Sequence, residues 1–138
     1  MHYPAHFEAD PDGGFTITFR DIPEAISQAD SLEEAQSAAL DALVTAMDFY
    51  FEDRRPVPAP SAARKGEHLV TLPASITAKV LLLNRMLAQR LRPVDLATRM
   101  NLKPQEVTRI LNLHHATKID TLAAAIKASG AELQLAIV

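Results

Sequence analysis

The sequence predicts an α+β chain in two parts. A small β-β-β-α-β layer comes first, and an all-α region with a terminal strand follows. Three observations carry this. Phe15, Ile17 and Phe19 alternate with Thr16, Thr18 and Arg20, the period of a half-buried strand. From Ala74 onward the apolar residues recur at helical spacing. The charge changes sign at the same point: residues 1–72 hold 13 acidic and 5 basic side chains, net −8, while residues 73–138 hold 4 acidic and 9 basic, net +5. The expected domains are therefore 1–72 and 73–138.

In chain order, HYPAHFEA and FTITF flank Asp12-Gly13-Gly14, whose residues accept positive φ, so a β-hairpin is expected. Pro23 ends the second strand, and Ala25 to Ala29 form a short third one. Ser31-Leu32-Glu33-Glu34 is a capping box opening a helix that runs to about Glu52. Leu32, Ala35, Ala39, Leu43, Met47 and Tyr50 share its inner face; Glu34, Ser37, Asp41, Thr45, Asp48 and Glu52 share the other. Residues 53–66 carry three prolines and form a loop, partly polyproline II. Glu67 to Leu72 return to the sheet as a fourth strand. A helix then runs from Pro73 or Ser75 to about Gln89, two short helices follow, and Asp120 caps a last helix that Gly130 ends. Leu133, Leu135 and Ile137 alternate with polar or small residues as a terminal strand that wants a partner.

The most informative stretch is PVDLATRMNLKPQEVTRILN, residues 93–112. Pro104 opens the second of its two helices, where a missing N–H costs nothing. Asn101 suits a left-handed turn, and Ala97 is small where the helices cross. Leu96, Met100, Val107, Ile110 and Leu111 would lock the pair together. The stretch resembles the helix-turn-helix of phage-repressor-type DNA-binding domains, with Asn101 standing where glycine is usual. Lys103, Gln105, Glu106, Thr108, Arg109 and Asn112 project outward. Gln and Arg can bond adenine and guanine bidentately. The expected DNA-binding set is Arg99, Lys103, Pro104, Gln105, Thr108, Arg109, Asn112 and Lys118, with Arg99, Lys118, Asn112 and helix N-termini on phosphates.

The acidic half points to a basic partner. Its expected contacts are Glu34, Asp41, Asp48 and Glu52, with Phe49, Tyr50 and Phe51 as an apolar anchor. A homodimer or tetramer is expected, formed through Leu133, Leu135 and Ile137, or else through Leu122 and Ile126, on an inverted-repeat operator.

Other chemistries find little support. There is no cysteine, no phosphate loop and no glycine fingerprint. His114 and His115 are adjacent, and neighbours on a helix diverge, so no metal site is assigned. Asp10, Asp12, Asp21 and Asp48 are too scattered to imply a two-metal nuclease. No apolar run reaches a membrane span and no signal peptide is visible, so a cytoplasmic, non-enzymatic protein without cofactor is expected.

The carrying stretches YPAHFEADPDGGFTITFRDIPEAISQADSLEEA, ALDALVTAMDFYFEDRRPVPAPS and KPQEVTRILNLHHATKIDTLAAAIKASG together resemble the HicB antitoxins of bacterial toxin–antitoxin operons, in the branch that ends in a helix-turn-helix. The resemblance covers essentially the whole chain. It implies a truncated RNase H-like amino-terminal domain that binds and masks a HicA-type mRNA-cleaving toxin. It also implies a carboxy-terminal domain that represses the operon by binding double-stranded operator DNA. The competing expectation is a stand-alone transcriptional regulator whose acidic domain senses a ligand.

Overall fold

Four strands form one antiparallel sheet: β1 (His2–Ala9), β2 (Phe15–Phe19), β3 (Ile26–Ala29) and β4 (His68–Thr71), in the order β3-β2-β1-β4. The computed structural model describes residues 1–138. The β1–β2 hairpin runs in register from Ala5 opposite Phe19 to Ala9 opposite Phe15. Its turn closes through Asp10 N–H to Gly14 O at 3.0 Å, with φ of 96° at Gly13 and 79° at Gly14. Gly14 is required twice over, because a Cβ there would sit 2.7 Å from the Ala29 carbonyl oxygen as well as strain a positive φ.

The pairing register puts Tyr3, Ala5, Ile17, Phe19 and Val70 on one face of the sheet, and all five are buried. The helix α1 (Leu32–Asp53) supplies the complementary layer with Ala35, Ala39, Leu43, Ala46, Met47 and Tyr50. Its alanines leave room for the backbone to lie close to the sheet. The Glu34 N–H donates to Ser31 Oγ at 3.2 Å, so the expected serine cap forms. Leu32 is the exception to the expected stripe: at the helix's first position it is 54% exposed.

The proline-rich segment after α1 has no regular structure, yet it is pinned. Tyr3 Oη donates to the Pro58 carbonyl at 2.7 Å, and the Ser61 N–H donates to Asp21 at 2.8 Å. Arg20 grips Glu67 with two parallel bonds, Nε at 2.9 Å and Nη2 at 3.0 Å. The Arg64 N–H adds a third donor to the same carboxylate at 2.6 Å. Together they pull the Glu67 carboxyl down to about 2, with the Arg20 hydrogen bond the largest cause. Burial, followed by the nearby Asp21 charge, pushes the Tyr3 phenol up to about 12.

The second unit gathers residues 51–56 with 73–138, while residues 1–50 and 57–72 make up the first. Its helices are α2 (Ala74–Ala88), α3 (Pro93–Met100), α4 (Pro104–Ile110) and α5 (Ile119–Ala128). They enclose a single apolar cluster that includes Leu82, Met86, Leu96, Val107, Leu122 and Ile126. Each large apolar side chain buried this fully contributes roughly 1.5–3 kcal/mol.

Three expectations are corrected in this unit. The N-cap position of the last helix is Lys118 rather than Asp120: the φ of −60° and ψ of 140° at Lys118 place Ile119 first, and the Lys118 side chain makes no capping bond; Asp120 sits in the first turn, where its negative charge is favourable beside the positive end of the helix dipole. Residues 132–138 form no strand within the chain, because an all-helical unit offers no ladder to pair with. Leu133 packs against the core, while Leu135 and Ile137 are 76% and 104% exposed. Leu122 and Ile126 are buried inside the unit, so their side chains are not on its surface.

The Arg20–Glu67 pair makes folding acid-sensitive in a defined window. Glu67 titrates at about 2 when folded against an ordinary 4.5, so its contribution to stability is complete above pH 4.5 and is lost as pH falls from about 4.5 to about 2. In Arg20→Ala the folded-state value should climb back toward 4.5. Carboxyl-carbon NMR titration of Glu67 in parent and variant measures it directly, and an unmoved titration would show that Arg20 does not hold the carboxylate.

Candidate functional site

In the second unit, α3 and α4 are joined by a turn in which Asn101 adopts the left-handed conformation, φ 54° and ψ 45°. The Leu102 N–H returns to the Ala97 carbonyl at 2.9 Å. Ala97 is buried at the crossing, as are Val107 and Ile110 on the inner side of α4. Both helices begin with the same device. Proline is the first residue, and an acid three residues after the cap turns back: Asp95 Oδ2 accepts the Arg92 N–H at 2.9 Å, and Glu106 Oε2 accepts the Lys103 N–H at 2.8 Å.

These caps sort the expected DNA-binding residues. Lys103, Pro104, Gln105, Thr108, Arg109, Asn112 and Lys118 are all exposed. The Glu106 carboxylate is spent on its own helix, which removes a negative group from the outward set. Thr108 Oγ1 donates to the Pro104 carbonyl at 3.1 Å, and Asn112 Oδ1 accepts the His114 N–H at 2.9 Å. Gln105 and Arg109 have exposed side chains without a hydrogen bond inside the chain. Arg99 is used otherwise than expected: its Nη1 donates to the Ala128 carbonyl at 3.1 Å, where it satisfies the end of α5. Beside α4 lies a cleft of about 370 Å³, lined among others by Arg109, His115, Thr117, Lys118 and Thr121.

The residue that the sequence reading missed is Lys79. It lies on α2 and is 1% exposed. Its ammonium donates to the Asn112 carbonyl at 2.6 Å, the His115 carbonyl at 2.7 Å and the Arg109 carbonyl at 3.4 Å. These carbonyls lie at the end of α4 and in the turn after it, and each also accepts one local donor. Burial lowers the amine's affinity for its proton, and the three carbonyl dipoles compensate the charge that remains. A signal was available. Lys79 sits three residues after Ile76 and four before Leu83, inside an apolar stripe, and a lysine there needs acceptors at its tip.

In the first unit, an open groove of about 320 Å³ separates β3 from α1. It is lined by Glu24, Ile26, Ser27, Asp41, Ala42 and Phe49 among others. Of the residues expected to meet a basic partner, Asp41 and Phe49 fall here, and Phe49 is 49% exposed. Glu34 and Glu52 are exposed and lie outside the groove, Asp48 is half-buried, and so is Phe51. Tyr50 is corrected: it is a core residue, 4% exposed, whose Oη donates to the Glu24 carboxylate at 2.7 and 2.9 Å. Three consecutive aromatics on a helix point in three directions, so only one of them can head the exposed surface.

Residues 2–81 match the family model described as "HicB_like antitoxin of bacterial toxin-antitoxin system". The chain belongs to the HicB-like antitoxin family. Among its relatives, Antitoxin HicB 2 of Photorhabdus laumondii is 54% identical over 135 residues, covering 98% of this chain and 95% of that one. Antitoxin HicB of Escherichia coli K12 is 47% identical over the full length of both chains. A third, Antitoxin HicB of Pseudomonas fluorescens, is 32% identical over 126 residues, 91% of this chain and 86% of the relative. HicB-like proteins are antitoxins that pair with toxins, not enzymes. No helix of this HicB-like chain is long and apolar enough to cross a membrane.

Replacing Lys79 with methionine roughly keeps the length of the side chain and removes the ammonium's three bonds, leaving Arg109 O with the Asn112 N–H, Asn112 O with the His115 N–H and His115 O with Thr117 Oγ1. A hydrogen bond to a charged group contributes about 1.5–3 kcal/mol. Lys79→Met should therefore unfold at lower urea concentration than the parent, with the loss of helical signal concentrated in the second unit. Denaturation followed by amide NMR reads this, and equal midpoints would show that the carbonyls are satisfied without Lys79.

Proposed function

We propose that this HicB-like antitoxin neutralises a HicA-type mRNA-cleaving toxin through residues 1–72 and represses its own operon through residues 73–138. Family membership supports the toxin as the first partner, and the net charge of −8 on residues 1–72 suits a basic one. On this reading, the β-β-β-α-β layer is a truncated RNase H-like domain that serves as a binding module. Both partners act in the cytoplasm.

The observation that carries the repressor role is the exposed face of α4. Gln105 and Arg109 project from it without intramolecular partners, on a helix whose inner side is fully apolar. In this reading, α3 and α4 form a helix-turn-helix. Gln105 and Arg109 read base edges in the major groove, and Lys103 and Lys118 contact phosphates. The residues' charge agrees, since residues 73–138 are net +5 and two of their four acids cap helices. A single helix of seven residues contacts few bases, so the repressor acts as a dimer or a higher oligomer on a palindromic operator. The exposed Leu135 and Ile137 suit a pairing element that becomes a strand only against a second copy.

Two experiments on the full-length chain test this. Arg109→Ala should lose about 1–3 kcal/mol of binding to the operon's promoter DNA and relax preference at one base position, while Lys118→Ala should weaken all sequences alike and lower the salt slope by about one. Equal operator binding by Arg109→Ala and the parent at matched salt removes Arg109 from the reading set. Deleting residues 134–138 should leave the toxin complex intact, halve the mass seen in sedimentation and abolish tight promoter binding. A deletion variant that sediments with the parent's mass and still holds the promoter shows that the tail is not the pairing element.

A further inference from the structure

The sheet has two outer edges, and they are finished differently. On β4, the Leu69 carbonyl accepts from Gln36 Nε2 of α1 at 3.0 Å, which ties that edge to the helix. Glu67, just before β4, is clasped by Arg20. On the other side, β3 hydrogen-bonds only to β2. An unpaired edge invites another strand, and proteins commonly blunt such edges with lysine, proline or a covering element. The β3 sequence, ISQA, contains neither lysine nor proline, and β3 has no second strand as a partner.

The surroundings of that edge are equally unprotected. Ile26 on β3 is 65% exposed and Phe49 on α1 is 49% exposed, and both line the groove between the strand and the helix. The alanines at 38, 42 and 46 give the groove a shallow apolar floor. Its charged lining residues are Glu24 and Asp41, with no cation among them. Such an arrangement offers main-chain bonds along one side, apolar contact in the middle and negative charge at the rim. Strand addition uses that combination: the backbone supplies affinity, and alternate side chains supply specificity.

We propose that an extended, basic segment of the toxin docks on the β3 edge, adds a fifth strand to the sheet and seats an apolar side chain against Phe49 and the alanine floor, with its cations against Glu24 and Asp41. The occupant is assigned by charge, since the groove carries only negative side chains in a half of net −8. This deepens the antitoxin reading and rests on it.

The test uses the full-length chain and the purified toxin. Hydrogen exchange on the parent complex should show residues 26–29 newly protected, while the amides of 68–71 on the far edge change little. By calorimetry, Ile26→Lys and Asp41→Lys should each weaken the complex by about ten- to a hundredfold, and Leu69→Lys on β4 should bind as the parent does. All three replace exposed or partly exposed side chains, and unchanged melting temperatures verify their folds. If the parent binds the toxin but residues 26–29 gain no protection and the groove variants bind equally well, the docking proposal is overturned and the antitoxin reading stands. If the parent does not bind the toxin, both fall together.

Discussion

A single buried ammonium group organises the second unit. Lys79 reaches from α2 to the carbonyls of Asn112 and His115, where α4 gives way to the turn before α5. It adds a charged donor to carbonyls that otherwise have only the local Asn112 and His115 N–H groups and the Thr117 hydroxyl, and so ties the end of a seven-residue helix to α2. Two arginines perform the same task at the end of α5, Arg85 on the Ser129 and Gly130 carbonyls and Arg99 on Ala128. Three of the nine basic residues in 73–138 are thus committed to helix ends. The net positive charge of this half therefore overstates the number of cations free to face a polyanion.

The first unit is built on the opposite economy. Its helix and sheet meet through apolar side chains that range from the alanines of α1 to Tyr3, Phe19 and Tyr50, and its long proline-rich connection is held by polar clasps at Asp21, Arg20 and the Tyr3 hydroxyl. That connection brings the chain back to β4, which completes the sheet beside β1. The edge strand β3 receives no comparable treatment. On the docking proposal, the asymmetry separates the part of the sheet devoted to folding from the part left for another molecule.

Local signals made much of this legible from sequence. The alternation at 15–19, the glycines at 13 and 14, the serine cap at 31 and the Ala97–Asn101–Val107 spacing each depend on residues close together in the chain. The features that stayed hidden are pairings of distant residues. Nothing near Tyr50 announces Glu24, and nothing near Arg20 announces Glu67, 47 residues away. The terminal alternation at 133–137 reads as a strand by period, but a period cannot supply the ladder that makes a strand stable. Spacing places Arg99 among the phosphate contacts; its use on the Ala128 carbonyl follows from where α5 ends, which spacing does not specify.

The lengths of α3 and α4 have a consequence for how the unit comes apart. At eight and seven residues, both are well below the roughly 12–15 at which an isolated helix begins to hold in water. Their helical state is borrowed from the shared core and from their caps. When that core opens, α4 has no residual order to retain, so its outer face vanishes together with the interior rather than fraying ahead of it. Any partner that recognises that face is in effect a reporter of whether the whole unit is folded, and its binding tightens the interior from outside by mass action.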